Sequence, residues 1–197
     1  MKKIIIVCVI VGLFIGGFGG VVSTLNGLVA LEEDVKAEWS QVLNQYQRRT
    51  DLIPNLVETV KGYAAHEQDT LTNVVEARAK ATQMTISPEN LSDAKALKIF
   101  QENQNAVSSA LGRLMVVVEK YPDLKANQNF MALQSQLEGT ENRIAVARKD
   151  YIEKVKRFNT KIRKIPTAWI AKLFGDFEPK ATFEISEEAT AAPKVAF

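Results

Sequence analysis

With 197 residues, the chain has room for one folded domain and little more. Its formal net charge is +2 and Lys2 and Lys3 supply both charges, so the remainder lacks the basic excess of a general nucleic-acid binder. A single cysteine, Cys8, excludes an intrachain disulfide.

In chain order, the first element is an uncharged apolar run from Ile4 to Val22. As a helix it extends for roughly 28 Å, enough to cross a bilayer core of roughly 30 Å. A basic start before an apolar run also describes a signal peptide. Two details favour an uncleaved anchor: the run exceeds an ordinary signal core, and no A-x-A-like site follows it. Cys8 lies near its beginning, where no lipoprotein cleavage would leave it. Gly12, Gly16 and Gly20 form a stripe on one helix face. Either two such helices pair closely through it, or it reflects the frequency of glycine in membrane helices. Lys2 and Lys3 precede the run, which by the positive-inside rule points the N-terminus to the cytoplasm and the rest of the chain away from it.

From Leu25 onward, apolar residues recur at steps of three and four: Leu25, Leu28, Leu31, Val35, Trp39, Val42, Tyr46, Ile53, Leu56 and Val60. This is the near-3.5 spacing of helices packed side by side as in a coiled coil. Arg49 occupies a seam position, and Pro54 removes a backbone donor, which predicts a kink near Thr50. Beyond Gly62, either a new helix starts near Ala65 or one bent helix continues to about Met84; the glycine favours a break. Ser87-Pro88 reads as an N-cap and first helical residue. Leu97, Phe100, Val107, Leu111, Leu114 and Val118 then form a stripe that ends at Tyr121-Pro122-Asp123. The last long helix, Asn127 to Ile165, keeps its rhythm through Phe130, Leu133, Leu137, Thr140, Ile144, Ala147, Tyr151, Val155, Phe158, Ile162 and Ile165 until Pro166. No segment alternates with period two, so the chain reads as all-α. Three regions follow: an N-terminal segment and transmembrane anchor over 1–24, a helical region over 25–175, and a loose polar tail over 176–197.

Several motifs resemble the LemA family: Arg48-Arg49-Thr50-Asp51-Leu52-Ile53-Pro54-Asn55-Leu56-Val57, Tyr121-Pro122-Asp123-Leu124-Lys125-Ala126-Asn127, and Leu137-Glu138-Gly139-Thr140-Glu141-Asn142-Arg143-Ile144-Ala145. Shorter matches are Glu76-Ala77-Arg78, Phe158-Asn159 and Phe174-Gly175, and the resemblance covers roughly 25–180. It implies a bacterial membrane protein with one transmembrane helix and an antiparallel four-helix bundle. It carries over no established enzymatic activity.

The chemistry-bearing residues give no active site. His66 is the one histidine and lacks the histidine and cysteine partners that zinc favours. No Glu-x-x-His pair, phosphate-cradling loop or nucleophile–base set can be assembled. The chain is therefore expected to be no enzyme, with no cofactor and no metal. Arg49 carries more information. If the first and last long helices are antiparallel neighbours with aligned ends, Arg49 faces Glu141, with Glu138 one turn away. A paired buried charge is tolerable and can fix register; alternatively, the long side chain snorkels to water.

Lys and Arg crowd the segment Arg143 to Lys164, against Asp150 and Glu153. This is either a solvated face suited to the negative end of a helix dipole or a membrane-facing end. With four helices, Lys161, Arg163 and Lys164 approach lipid, and Trp169, Leu173 and Phe174 lie at the interface as a short amphipathic helix. With three, that end points away. The expected role is a non-catalytic scaffold or adaptor, single-pass in the bacterial inner membrane, in contact with lipid through its anchor and self-associating, with protein partners the sequence leaves open. The alternative is a self-assembling protein that organises the membrane through its basic, Trp-bearing end.

Overall fold

The computed structural model describes residues 2–184, and within them every regular element is helical. In order these are α1 (Lys2–Lys61), α2 (Gln68–Gln83), a 3-10 turn (Pro88–Asn90), α3 (Ala94–Val118), the single turn α4 (Pro122–Lys125), α5 (Gln128–Arg163) and α6 (Thr167–Phe174). α1 carries the apolar run, long and apolar enough to cross a membrane, and continues without interruption into the packed region. At 1.5 Å per residue it is roughly 90 Å long.

Pro54 lies inside α1. Its missing N–H deprives the Thr50 carbonyl, four residues earlier, of a helical donor. Arg78 of α2 compensates, its Nε donating to that carbonyl at 3.0 Å. The disturbance expected near Thr50 is thus met from the neighbouring helix, and α1 runs on to Lys61. It ends at Gly62, as the favoured reading of that glycine has it. The next helix boundary differs from expectation. Ser87 makes no capping bond and Pro88 opens only the 3-10 turn; α3 begins six residues later, where Asp93 Oδ1 accepts from Ala96 N at 2.9 Å. At the start of α5, Asn127 Oδ1 accepts from Phe130 N at 3.0 Å, satisfying one of the first-turn donors.

α5 runs antiparallel to α1. Asp34 meets Lys154, Trp39 meets Tyr151 and Arg49 meets Glu141. α3 runs parallel to α1, with Phe100 against Trp39 and Gln104 against Arg49. α2 packs on α1 and α3. The buried side chains form two clusters. One, far from the apolar run, joins Ile53, Leu56 and Val60 to Val74, Leu114, Leu124 and Phe130 from the later elements. The other, nearer that run, gathers Leu28, Val35, Trp39 and Val42 with Phe100, Tyr151, Val155 and Phe158. Ile165, expected to close the α5 stripe, is exposed; the stripe ends at Ile162, because α5 itself ends at Arg163.

α2 is only 16 residues long and stops at Gln83. Near the apolar run the space beside α1, α3 and α5 is filled differently. Ile86 and Leu91, from the connection to α3, join that core with Phe183 from the chain end. Residues 176–184, expected to be loose, instead form an extended strap. Phe183 packs on Trp39 and Tyr151 at ring-centroid distances of 5.9 and 5.6 Å. Ala181 N donates to Leu91 O at 2.8 Å. Two side-chain amides clamp the strap backbone in both directions. Asn159 donates to Lys180 O and accepts from Lys180 N, and Gln101 does the same with Glu184. Burial pushes the Tyr151 phenol up from its ordinary pKa, so it remains a donor to Ala181 O, at 2.9 Å. At Gly175 the backbone enters the strap so close to the Phe177 ring that a Cβ would collide with it. The rest of the expected tail, 185–197, lies outside the described residues.

Phe183→Ala should destabilise the packed region by about 3 kcal/mol, the low end for a buried phenylalanine, and raise hydrogen exchange at Ala181 and Glu184 in the full chain. Unchanged exchange and stability would mean that the strap contributes nothing to the fold.

Candidate functional site

Between the two apolar clusters lies a polar layer. Arg49, Thr50, Gln104 and Thr140 are all buried there. Arg49 is 1% exposed, and its guanidinium spans three helices. Nη1 donates to Glu141 Oε1 at 2.8 Å and to Ser108 Oγ at 2.7 Å. Nη2 donates to the Gln104 carbonyl at 3.0 Å and to Gln104 Oε1 at 2.6 Å. The group also lies over the Tyr46 ring, 5.1 Å from its centroid. Four of the five guanidinium N–H groups are thereby used; Nε has no partner among the described residues. Glu138, the other carboxylate weighed for Arg49, accepts from Gln134 instead. Of the two acids, the structure brings only Glu141 to the arginine.

A second buried cation escaped the sequence reading. Lys180 of the strap is held 2.6 Å from Glu32 Oε1 and lies over the Phe158 ring. Asn159 was the available signal: a poor helix former in mid-helix, beside Phe158, whose side chain is used to bind strap backbone.

The remaining sequence candidates fall in two places. Gly12, Gly16 and Gly20 lie on the apolar part of α1, with nothing within 4 Å of a Cβ added at any of them. Lys161, Arg163 and Lys164 are exposed at the end of α5 and form no ion pair among the described residues. α6 is two-faced: Thr167 and Ala171 are buried against the fold, while Trp169, Leu173 and Phe174 are 67%, 75% and 58% exposed. At the opposite end of the molecule His66 is exposed. Tyr121 Oη donates to Glu67 there, and Asn127 Nδ2 donates to the Tyr63 hydroxyl. Among the described residues no group of three or more His, Cys, Asp or Glu is placed to hold a metal ion. The surface concavities are open clefts, such as one of about 250 Å³ between α3 and α5 lined by Leu111, Gly112, Met115 and Leu137.

The burial asymmetry of the ion pair fixes the order of two mutant effects. Glu141 is 41% exposed on its side chain, so Arg49→Met leaves a carboxylate that can hydrate; it also orphans the buried Gln104 Oε1 and should cost about 2 kcal/mol, within the range for a buried acceptor left unpaired. Glu141→Gln strands a buried cation and should cost about 3 kcal/mol. Chemical denaturation of both variants measures this, and the reverse order would contradict the assigned environment of Arg49.

The profile of the family described as LemA family matches residues 38–197. Magnetosome protein MamQ 2 of Paramagnetospirillum magneticum is 30% identical over 167 residues, covering 76% of this chain and 61% of that protein. Magnetosome protein MamQ of Magnetospirillum gryphiswaldense is 26% identical over 166 residues, with the same coverage. Protein LemA of Metamycoplasma hominis is 23% identical over 162 residues, covering 82% of this chain and 69% of that protein. The chain thus spans about 61% of the length of its magnetosome relatives.

Proposed function

The chain belongs to the LemA family, and from that premise we propose that it is a membrane-anchored, non-catalytic scaffold. In this reading Ile4 to Val22 cross the bilayer and the rest is an antiparallel four-helix bundle on a stalk, its fourth position completed near the membrane by the strap. The observation that carries it is the continuity of α1: one helix includes the apolar run and also supplies Trp39, Arg49 and Ile53 to the packed interior. A helix without a hinge holds the bundle at a set height from the bilayer, as presentation of a surface to other proteins requires.

Within this reading the Arg49–Glu141 pair fixes the alignment of α1 and α5. A slip by one turn toward the end of α5 would set the guanidinium against buried Ile144, where no carboxylate compensates its charge, whereas a slip the other way would exchange Glu141 for Glu138. Gly12, Gly16 and Gly20 offer a close-packing face for self-association in the membrane. The N-terminus faces the cytoplasm of a bacterial cell and the bundle lies on the other side of the inner membrane. The competing role is a self-assembling protein that organises the bilayer through its basic, Trp-bearing end.

Cross-linking in intact membranes, followed by identification of the products, separates the two. A stable complex with a different protein is expected. Products limited to copies of this chain would overturn the scaffold reading in favour of the membrane-organising one.

A further inference from the structure

The uncharged stretch of α1 does not stop at Val22. It continues through Ser23, Thr24 and Asn26 to Leu31, and the first acidic residue is Glu32. Ile4 to Val22 fill a hydrocarbon core of roughly 30 Å, and the headgroup layer on one side adds roughly 5–7 Å, or about four to five helical residues. Residues 23–27 thus fall at headgroup depth.

The fold brings α6 to this same level. The antiparallel alignment of α1 and α5 sets Ile162 beside Leu28, both buried in one cluster with Ala171 of α6. α6 follows α5 and packs on both α1 and α5; the strap then climbs back, placing Lys180 on Glu32. α6 therefore flanks α1 below Glu32, where Val21, Thr24 and Leu25 are partly covered. Its outward side presents Trp169, Leu173 and Phe174, and Ile165 just before it is 67% exposed. Close to these side chains along the chain are Lys161, Arg163, Lys164 and Lys172, all exposed, with Asp176 the nearest exposed acid after them. Large apolar groups flanked by an excess of cations are the composition of a surface that enters a lipid interface, and here the surface abuts a membrane span.

We propose that α6, with Ile165, is a second membrane attachment: a short helix lying in the headgroup layer beside α1, its aromatic and aliphatic side chains among the upper acyl chains and its lysines on lipid phosphates. The proposal rests on the reading of Ile4 to Val22 as a membrane span. Two attachment points would stop the bundle from pivoting about the stalk and fix which face it turns outward.

Tryptophan quenching tests this on the full chain. Trp39 and Trp169 are the two tryptophans; Trp39 is buried and lies roughly 25 Å along α1 beyond Val22, out of reach of quenchers in the bilayer. In vesicles of phosphatidylcholine and phosphatidylglycerol, lipids brominated near the headgroup should remove the Trp169 emission and aqueous iodide should spare it. The lipid quenching should be absent in Trp169→Phe and reduced in Leu173→Asp, whose exposed position leaves the fold intact. Iodide quenching of Trp169 without lipid quenching would overturn the proposal. So would a photo-cross-linker at position 169 that captures protein rather than lipid. Flotation of the chain with the vesicles reports the span separately: a chain that does not float refutes the span, and one that floats with Trp169 in water refutes only the second attachment.

Discussion

A buried arginine at the centre of a helical assembly constrains everything packed around it. The Arg49 guanidinium is buried from water, and four charge-assisted hydrogen bonds replace its hydration only when Gln104 and Ser108 of α3 and Glu141 of α5 stand at one level of α1. Apolar contacts alone tolerate a sliding register, since leucines and valines are interchangeable neighbours at each turn. A buried charge is less tolerant, because a shift that leaves it without its acceptors strands it at a cost in free energy. Thr50 strengthens the same level: its hydroxyl donates to Tyr46 O, and its carbonyl, freed by Pro54, takes the Arg78 donor that ties in α2. The motif Arg-Thr-Asp-Leu-Ile-Pro thus joins four helices at one height.

The two halves on either side of this layer are built differently. Beyond it, α1, α2, α3 and α5 close on leucines, valines and alanines. Toward the apolar run, α2 is absent and an aromatic cluster of Trp39, Tyr46, Phe100, Tyr151 and Phe183 takes over. Wide rings fill a space where a narrow extended strap replaces a helix. The strap carries backbone polar groups into this half, and Asn159, Gln101 and Tyr151 satisfy them from the helices. The Trp39 indole donates to Ile86 O at 2.9 Å, doing the same for the connection between α2 and α3.

Much of this was legible in the sequence. Period-three-and-four stripes located the long helices, and the spacing of Arg49 and Glu141 in two antiparallel helices set them opposite each other. The polar layer went unread beyond Arg49 and its acids, although Gln104 fills the seam position missing between Phe100 and Val107 and Thr140 stands in the α5 stripe. What the sequence concealed were interactions that follow no period. Ser87-Pro88 has the composition of a helix start, but Asp93 holds the better cap geometry, and the local signal was the same for both. The strap was invisible because an extended segment with two aromatic side chains resembles a polar tail until Trp39 and Tyr151 are known to leave a gap beside it. Lys180 reads as a surface lysine until the fold sets Glu32 and Phe158 around it.

On this reading the Arg49 layer holds α1 and α5 in a single register. Disulfide trapping in the membrane-inserted full chain, with Cys8 replaced by serine, measures this directly. Cysteines at Asp34 and Lys154, which form an ion pair at 2.8 Å, should cross-link in preference to cysteines at Asp34 and Asp150, one turn away. Replacing Arg49 with methionine should narrow that preference as slipped alignments become populated. An unchanged preference in its absence would contradict the account, leaving register to the apolar seam alone.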